Sequence, residues 1–168
     1  MTTKTIVLST IGAILSIVGL YFVISVNADQ ATLDKADLVV YKSPTCGCCS
    51  AWIEHIEANN YVSEIAHPEN LNAIKKKHGI EPRFQSCHTA VHTSGLVFEG
   101  HIPAEIIARF IDKPYLDAIG LAVPGMPVGS PGMEYDDKFQ PYQVYVLMKD
   151  GSSQVYANVA REKVEYML

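Results

Sequence analysis

Hydrophobic and polar positions change period several times along this chain. Ile6–Val26 is a stretch of 21 residues with no charge and no polar face, long enough to cross a bilayer as a helix. A polar, acidic segment follows. Leu38–Tyr41 is a short apolar run that predicts a buried strand, stopped at Pro44. From about Cys48 to Asn59, Trp52, Ile53 and Ile56 recur on one stripe with Glu54 and Glu57 outside it, which predicts an amphipathic helix. Tyr61–Ala66 predicts a second strand. Pro68 at a first-turn position and Glu69–His78 before Gly79 predict a second helix, with Lys75-Lys76-Lys77 as a solvated face near its carboxyl end. His88–Thr93 and Leu96–Glu99 flank Ser94-Gly95 as a hairpin. Ile102, Ile106, Ile107 and Phe110 predict a third helix over Ile102–Ile111.

After Lys113 the pattern breaks down. Pro114–Pro141 holds five of the nine prolines but also Leu116, Ile119, Leu121 and Val123, so it predicts a loop packed on the domain. Tyr142–Met148 and Gln154–Val159 flank Lys149-Asp150-Gly151-Ser152, a second hairpin. Strand, helix, strand, helix, hairpin, helix is the element order of a thioredoxin-like domain. The expected fold is therefore α/β: thioredoxin-like, with an added C-terminal loop and β-hairpin, preceded by an N-terminal hydrophobic helix. The expected divisions are 1–28, a signal peptide or membrane anchor; 29–37, a tether; 38–160, the domain; and 161–168, a C-terminal tail. Lys4 and the amino terminus put positive charge before the apolar stretch, so the amino end stays cytoplasmic and the domain is exported. Val26-Asn27-Ala28 would suit a signal peptidase, yet the apolar run is long for a signal; cleaved and anchored forms both remain open.

Composition changes this picture in one respect. The net charge is −5, which excludes a broad electrostatic attraction to nucleic acid. No serine–histidine–acid set, phosphate-binding glycine loop or paired-carboxylate site stands out. The chemistry lies in the cysteines. Three of four sit in Ser43-Pro44-Thr45-Cys46-Gly47-Cys48-Cys49-Ser50 and the fourth is Cys87. Cys46 and Cys49 form an ordinary C-x-x-C pair, at the amino end of the first predicted helix, where free N–H groups and the dipole favour thiolates. Four cysteines in an exported chain would also suit two structural bridges, but Cys48 and Cys49 are adjacent and cannot bond without strain. Three clustered thiols and a fourth exceed what one disulfide needs, and they suit a soft metal.

The chain resembles the small thioredoxin-like bacterial copper-resistance proteins of the CopG type. The resemblance runs from about Leu38 to Val159 and rests on Tyr41-Lys42-Ser43-Pro44-Thr45-Cys46-Gly47-Cys48-Cys49, on Ser86-Cys87-His88-Thr89-Ala90, on Glu99-Gly100-His101-Ile102-Pro103-Ala104, and on the proline- and glycine-rich segment from Ala118 to Glu134. It implies a periplasmic protein, soluble or tethered to the inner membrane, in which cysteines bridge several copper ions, and a role in copper redox detoxification. Partners would be copper ions and periplasmic copper-handling or electron-transfer proteins.

Against that background Cys46, Cys48, Cys49 and Cys87 are the expected metal ligands. A mononuclear zinc site is the structural rival; zinc usually takes two separated pairs, whereas neighbours 48 and 49 would serve different ions more easily. Thiol-exchange proteins of the thioredoxin type carry a proline facing the reactive pair, and here Ser86-Cys87-His88 stands in its place. Cys87 is therefore expected close to Cys46. Met126 and Met133 are soft thioethers in a loop, with gap-filling as the alternative. His101 and His88 are ligands, groups that support ligands, or surface and capping histidines. In an extended segment His88 would point to the face opposite Cys87. His92 could face either way, and His55, His67 and His78 read as exposed. A thiol–disulfide oxidoreductase using Cys46 and Cys49, and a zinc-stabilised interaction module, are the competing functions.

Overall fold

The structure, a computed structural model, describes residues 36–167. The expected hydrophobic helix, the signal or anchor, and most of the tether lie outside the described residues. Among the described residues no helix is long and apolar enough to cross a membrane.

Eight strands form one mixed sheet in the order β2-β1-β3-β4-β5-β6-β7-β8. In chain order the elements are β1 (Leu38–Lys42), α1 (Gly47–Ala58), β2 (Ser63–Ala66), α2 (Leu71–Lys77), a short 3₁₀ turn (Pro82–Phe84), β3 (His88–His92), β4 (Val97–Glu99), α3 (Ala104–Asp112), β5 (Ala118–Ala122), β6 (Tyr142–Met148), β7 (Ser153–Ala160) and β8 (Lys163–Tyr166). β1 runs parallel to β2 and antiparallel to β3, with Val40 opposite Ala90. β4 pairs antiparallel with β3 and parallel with β5, and β5 to β8 continue as antiparallel neighbours.

The strand periodicity sorts side chains onto two faces. Phe98, Leu121 and Val146 join Trp52, Ile56, Ile106, Ile107 and Phe110 in the main core, under α1 and α3. Their neighbours Val97, Ala122 and Leu147 face the other way and pack with Ile80 and Phe84. The helical stripe forecast for α1 is the buried one: Trp52, Ile53 and Ile56 are inside.

Three expectations need correction. Pro114–Pro141 is not loop throughout, because Ala118–Ala122 is β5. This strand zips the first half of the sheet to the second. Its sequence, Ala-Ile-Gly-Leu-Ala, carries little strand propensity, and Gly120 sits at a register shift opposite β6. Gly120 has φ +154°, and a side chain there would collide with the Val97 backbone of β4, so close strand approach selects glycine. Second, 161–168 is not a tail, since Lys163–Tyr166 pairs with β7, Val159 opposite Val164. The alternation Lys-Val-Glu-Tyr is itself a strand signal. Third, Lys75 is not solvated; it is 2% exposed.

Candidate metal centre

α1 begins directly after Cys46, whose sulfur takes the N-cap role by accepting the Cys49 N–H at 3.3 Å. The helix therefore starts inside the cysteine motif and projects Cys46, Cys48 and Cys49 from its first turn. β1 places that turn beside the segment entering β3, because β1 and β3 pair along their whole length, with Lys42 opposite His88. The result brings the four sulfurs of Cys46, Cys48, Cys49 and Cys87 within 4.8 Å of one another. Cys48 Sγ lies 3.5 Å from Cys46 Sγ and 4.0 Å from Cys87 Sγ. The expected convergence of Cys87 on the cluster is thus present. Cys46 and Cys49 are joined as a disulfide, and Cys48 and Cys87 are free. Cys49 is completely buried, while Cys46, Cys48 and Cys87 are partly exposed.

Two histidines border Cys87. His101 Nε2 is 3.0 Å from Cys87 Sγ, and its Nδ1 lies 2.7 Å from the Pro131 carbonyl. A carbonyl only accepts, so Nδ1 carries the proton and donates to it. That leaves the Nε2 lone pair aimed at Cys87, the tautomer a metal would require. His88 Nδ1 is 3.4 Å from the same sulfur. The forecast that His88 would face away from Cys87 is corrected: Cys87 lies in the bend before β3, where strand alternation has not begun. The His88 ring packs on Trp52 at 4.3 Å and edge-on to His101 at 5.0 Å, and its buried Nε2 has no hydrogen-bond partner. Cys87, His88 and His101 make a second group of mutually close donors overlapping the first.

Burial governs the local ionisation. It pushes the Cys87 thiol up to about 12, helped by the neighbouring Cys48 sulfur. It also drives His88 well below its ordinary value, with His101, Lys75 and Lys42 adding repulsion, and lowers His101, partly opposed by the Pro131 carbonyl and Glu134. The pocket therefore holds neutral imidazoles, which are competent donors. Sulfur is a soft donor, and imidazole suits copper and zinc alike.

The proline- and glycine-rich segment after β5 covers this pocket. Gly125 N–H donates to the Gln85 carbonyl, and Ser86 Oγ donates to the Gly125 carbonyl. Gly132, with φ +80°, comes so near α1 that a Cβ would stand 2.6 Å from both the Cys48 carbonyl and Trp52 N. Met133 in this segment is half-buried, and Met126 is half exposed beside a surface groove with Pro127, Tyr142 and Tyr145. The other histidines serve local roles: His55 Nε2 accepts the Ala104 N–H at the start of α3, and His67 Nδ1 donates to the Lys42 carbonyl.

One part of the site escaped the sequence reading. Lys75 of α2 reaches under the sheet to Glu99 at 2.5 Å and Thr89 at 3.0 Å. Glu99 also accepts the Ser86 N–H at 2.6 Å and the Thr89 hydroxyl at 2.6 Å. Glu99 thus anchors the backbone one residue before Cys87 and stands two residues before His101. The signal was a lysine at helical spacing from Leu71, on the α2 face turned to the sheet.

The fold and site define a mixed α/β protein that gathers four cysteines and two histidines at the amino end of one helix. Residues 84–133 match the family described as "Protein of unknown function, DUF411". Two solved structures are similar: "Copper resistance protein copG- Form 1", at 40% identity over 73% of this chain and 95% of that one with a TM-score of 0.68, and "Copper resistance protein copG- Form 2", at 38% identity over 76% of this chain and 100% of that one with a TM-score of 0.70. No curated protein matches. The chain belongs to the CopG copper-resistance protein family.

Proposed function

We propose that this chain is an exported protein that holds Cu(I) through Cys46, Cys48, Cys49 and Cys87, as a cluster of several coppers, and contributes to copper resistance. The observation that carries the reading is the gathering of four sulfurs from two distant stretches within 4.8 Å. Thiolates select Cu(I), and a thiolate can bridge two ions, so few side chains suffice. His101, with its lone pair directed at Cys87, would make Cu(II) accessible and allow cycling between the two oxidation states; His88, Met133 and Met126 are the further donors to test. Similarity to copper-resistance proteins supports copper as the cargo. The strand order β2-β1-β3-β4 with α1, α2 and α3 supports a thioredoxin-like core, and Lys4 before Ile6–Val26 supports a periplasmic location.

Anaerobic titration of the fully reduced chain tests the proposal. It should bind more than one Cu(I), and each of Cys46→Ser, Cys48→Ser, Cys49→Ser and Cys87→Ser should lower that number. A single ion, or zinc alone in protein isolated from copper-supplemented cells, would overturn it. The closed Cys46–Cys49 pair favours a second reading, disulfide exchange. Insulin reduction by metal-free protein that persists in Cys87→Ser would establish that activity.

A further inference from the structure

The four cysteines are not equivalent. Cys46 and Cys49 are bonded, and Cys49 is completely buried. Cys48 and Cys87 are free and partly exposed, with sulfurs 4.0 Å apart, on the order of two metal–thiolate bonds of about 2.3 Å each. His101 Nε2 stands 3.0 Å from Cys87 on the same side. The two pairs thus differ in bonding, and the free pair has an imidazole beside it.

We propose, resting on the copper reading above, that Cys46 and Cys49 are an internal reductant for Cu(II), while Cys48, Cys87 and His101 retain Cu(I) after the disulfide has closed. The step balances. Two Cu(II) ions each accept one electron; the two thiols lose two electrons and two protons, form the sulfur–sulfur bond, and release the protons to solvent. A dithiol of the thioredoxin type resets the pair by becoming a disulfide itself. Closure withdraws two of four thiolates, so the oxidised chain has a smaller Cu(I) capacity than the reduced one. Reduction of the metal is thereby coupled to release of part of it.

The test uses the purified full-length chain, reduced, metal-free and under argon, mixed with Cu(II) sulfate. Total Cu(I) is read with a chromogenic chelator after denaturation, and disulfides are mapped by alkylation and mass spectrometry. Electron balance requires two Cu(I) per disulfide closed, mapped to Cys46–Cys49. Cys48→Ser and Cys87→Ser should still close that disulfide but lose Cu(I) on desalting. Cys46→Ser and Cys49→Ala should reduce Cu(II) about tenfold more slowly, because the paired thiol is gone. Direct Cu(I) titration of the same variants provides a measure independent of the redox step. If the reduced chain binds several Cu(I) but Cu(II) leaves Cys46 and Cys49 as thiols, or oxidises Cys48 and Cys87 instead, this inference fails alone. If the reduced chain does not bind Cu(I), the copper reading fails with it.

Discussion

His88 shows how one residue links the site to stability. Its ring is buried between Trp52 and His101, and folding holds its pKa well below the ordinary value. In the unfolded chain it titrates at about 6.5. Below that pH the unfolded state binds the extra proton, so stability falls as pH drops through the unfolded value. Urea unfolding of the metal-free chain should therefore give a lower midpoint at pH 5.5 than at pH 7.5. His88→Phe keeps an aromatic ring against Trp52 and should shrink that difference. It should not abolish it, since burial lowers His101 in the same direction. An unchanged difference would exclude His88 as a contributor. The cysteines were legible at this scale because thiols clustered by sequence carry their chemistry with them. The orientation of His88 was not, because it depends on where the bend before β3 ends.

Among the elements, α2 plays a role that its sequence hides. Three lysines in a row predict solvent-facing charge. The helix rotates Lys75 inward, and the sheet supplies Glu99 and Thr89 beneath it. Removing one member of a buried ion pair leaves the other uncompensated, at a cost of about 3–5 kcal/mol. Lys75→Met should lower stability by that order in urea denaturation, and Lys75→Met with Glu99→Leu should recover most of it. The double variant still lacks an acceptor for the Ser86 N–H. Cys87 in it should be alkylated faster than in the parent, although global stability has returned. An equal alkylation rate would show that Glu99 stabilises α2 without positioning the Cys87 segment.

For the whole molecule, the decisive feature is the continuity of the sheet through β5. The strong periodic segments, α1, α3 and the β6–β7 hairpin, were readable because each contains enough repeats to reveal its period. β5 and β8 are five and four residues long, and only their neighbours give them identity. β8 covers the outer edge of β7, and Tyr166 packs at 5.7 Å on Tyr156 in an aromatic group with Phe110 and Tyr115. Deleting residues 161–168 would expose a long strand edge, which invites pairing with a second copy. The truncated chain should self-associate in light scattering at concentrations where the parent does not. A monodisperse truncated chain would show that β7 needs no cover.

The sole tryptophan has a practical consequence. Trp52 is fully buried, donates its indole N–H to the Ile102 carbonyl at 2.9 Å, and packs against the imidazole that borders Cys87. Its emission is therefore a built-in gauge of what happens at the sulfur cluster. Titrating the chain with a heavy soft ion such as Ag(I) should dim that light in step with occupancy, so loading can be followed in real time without an added dye.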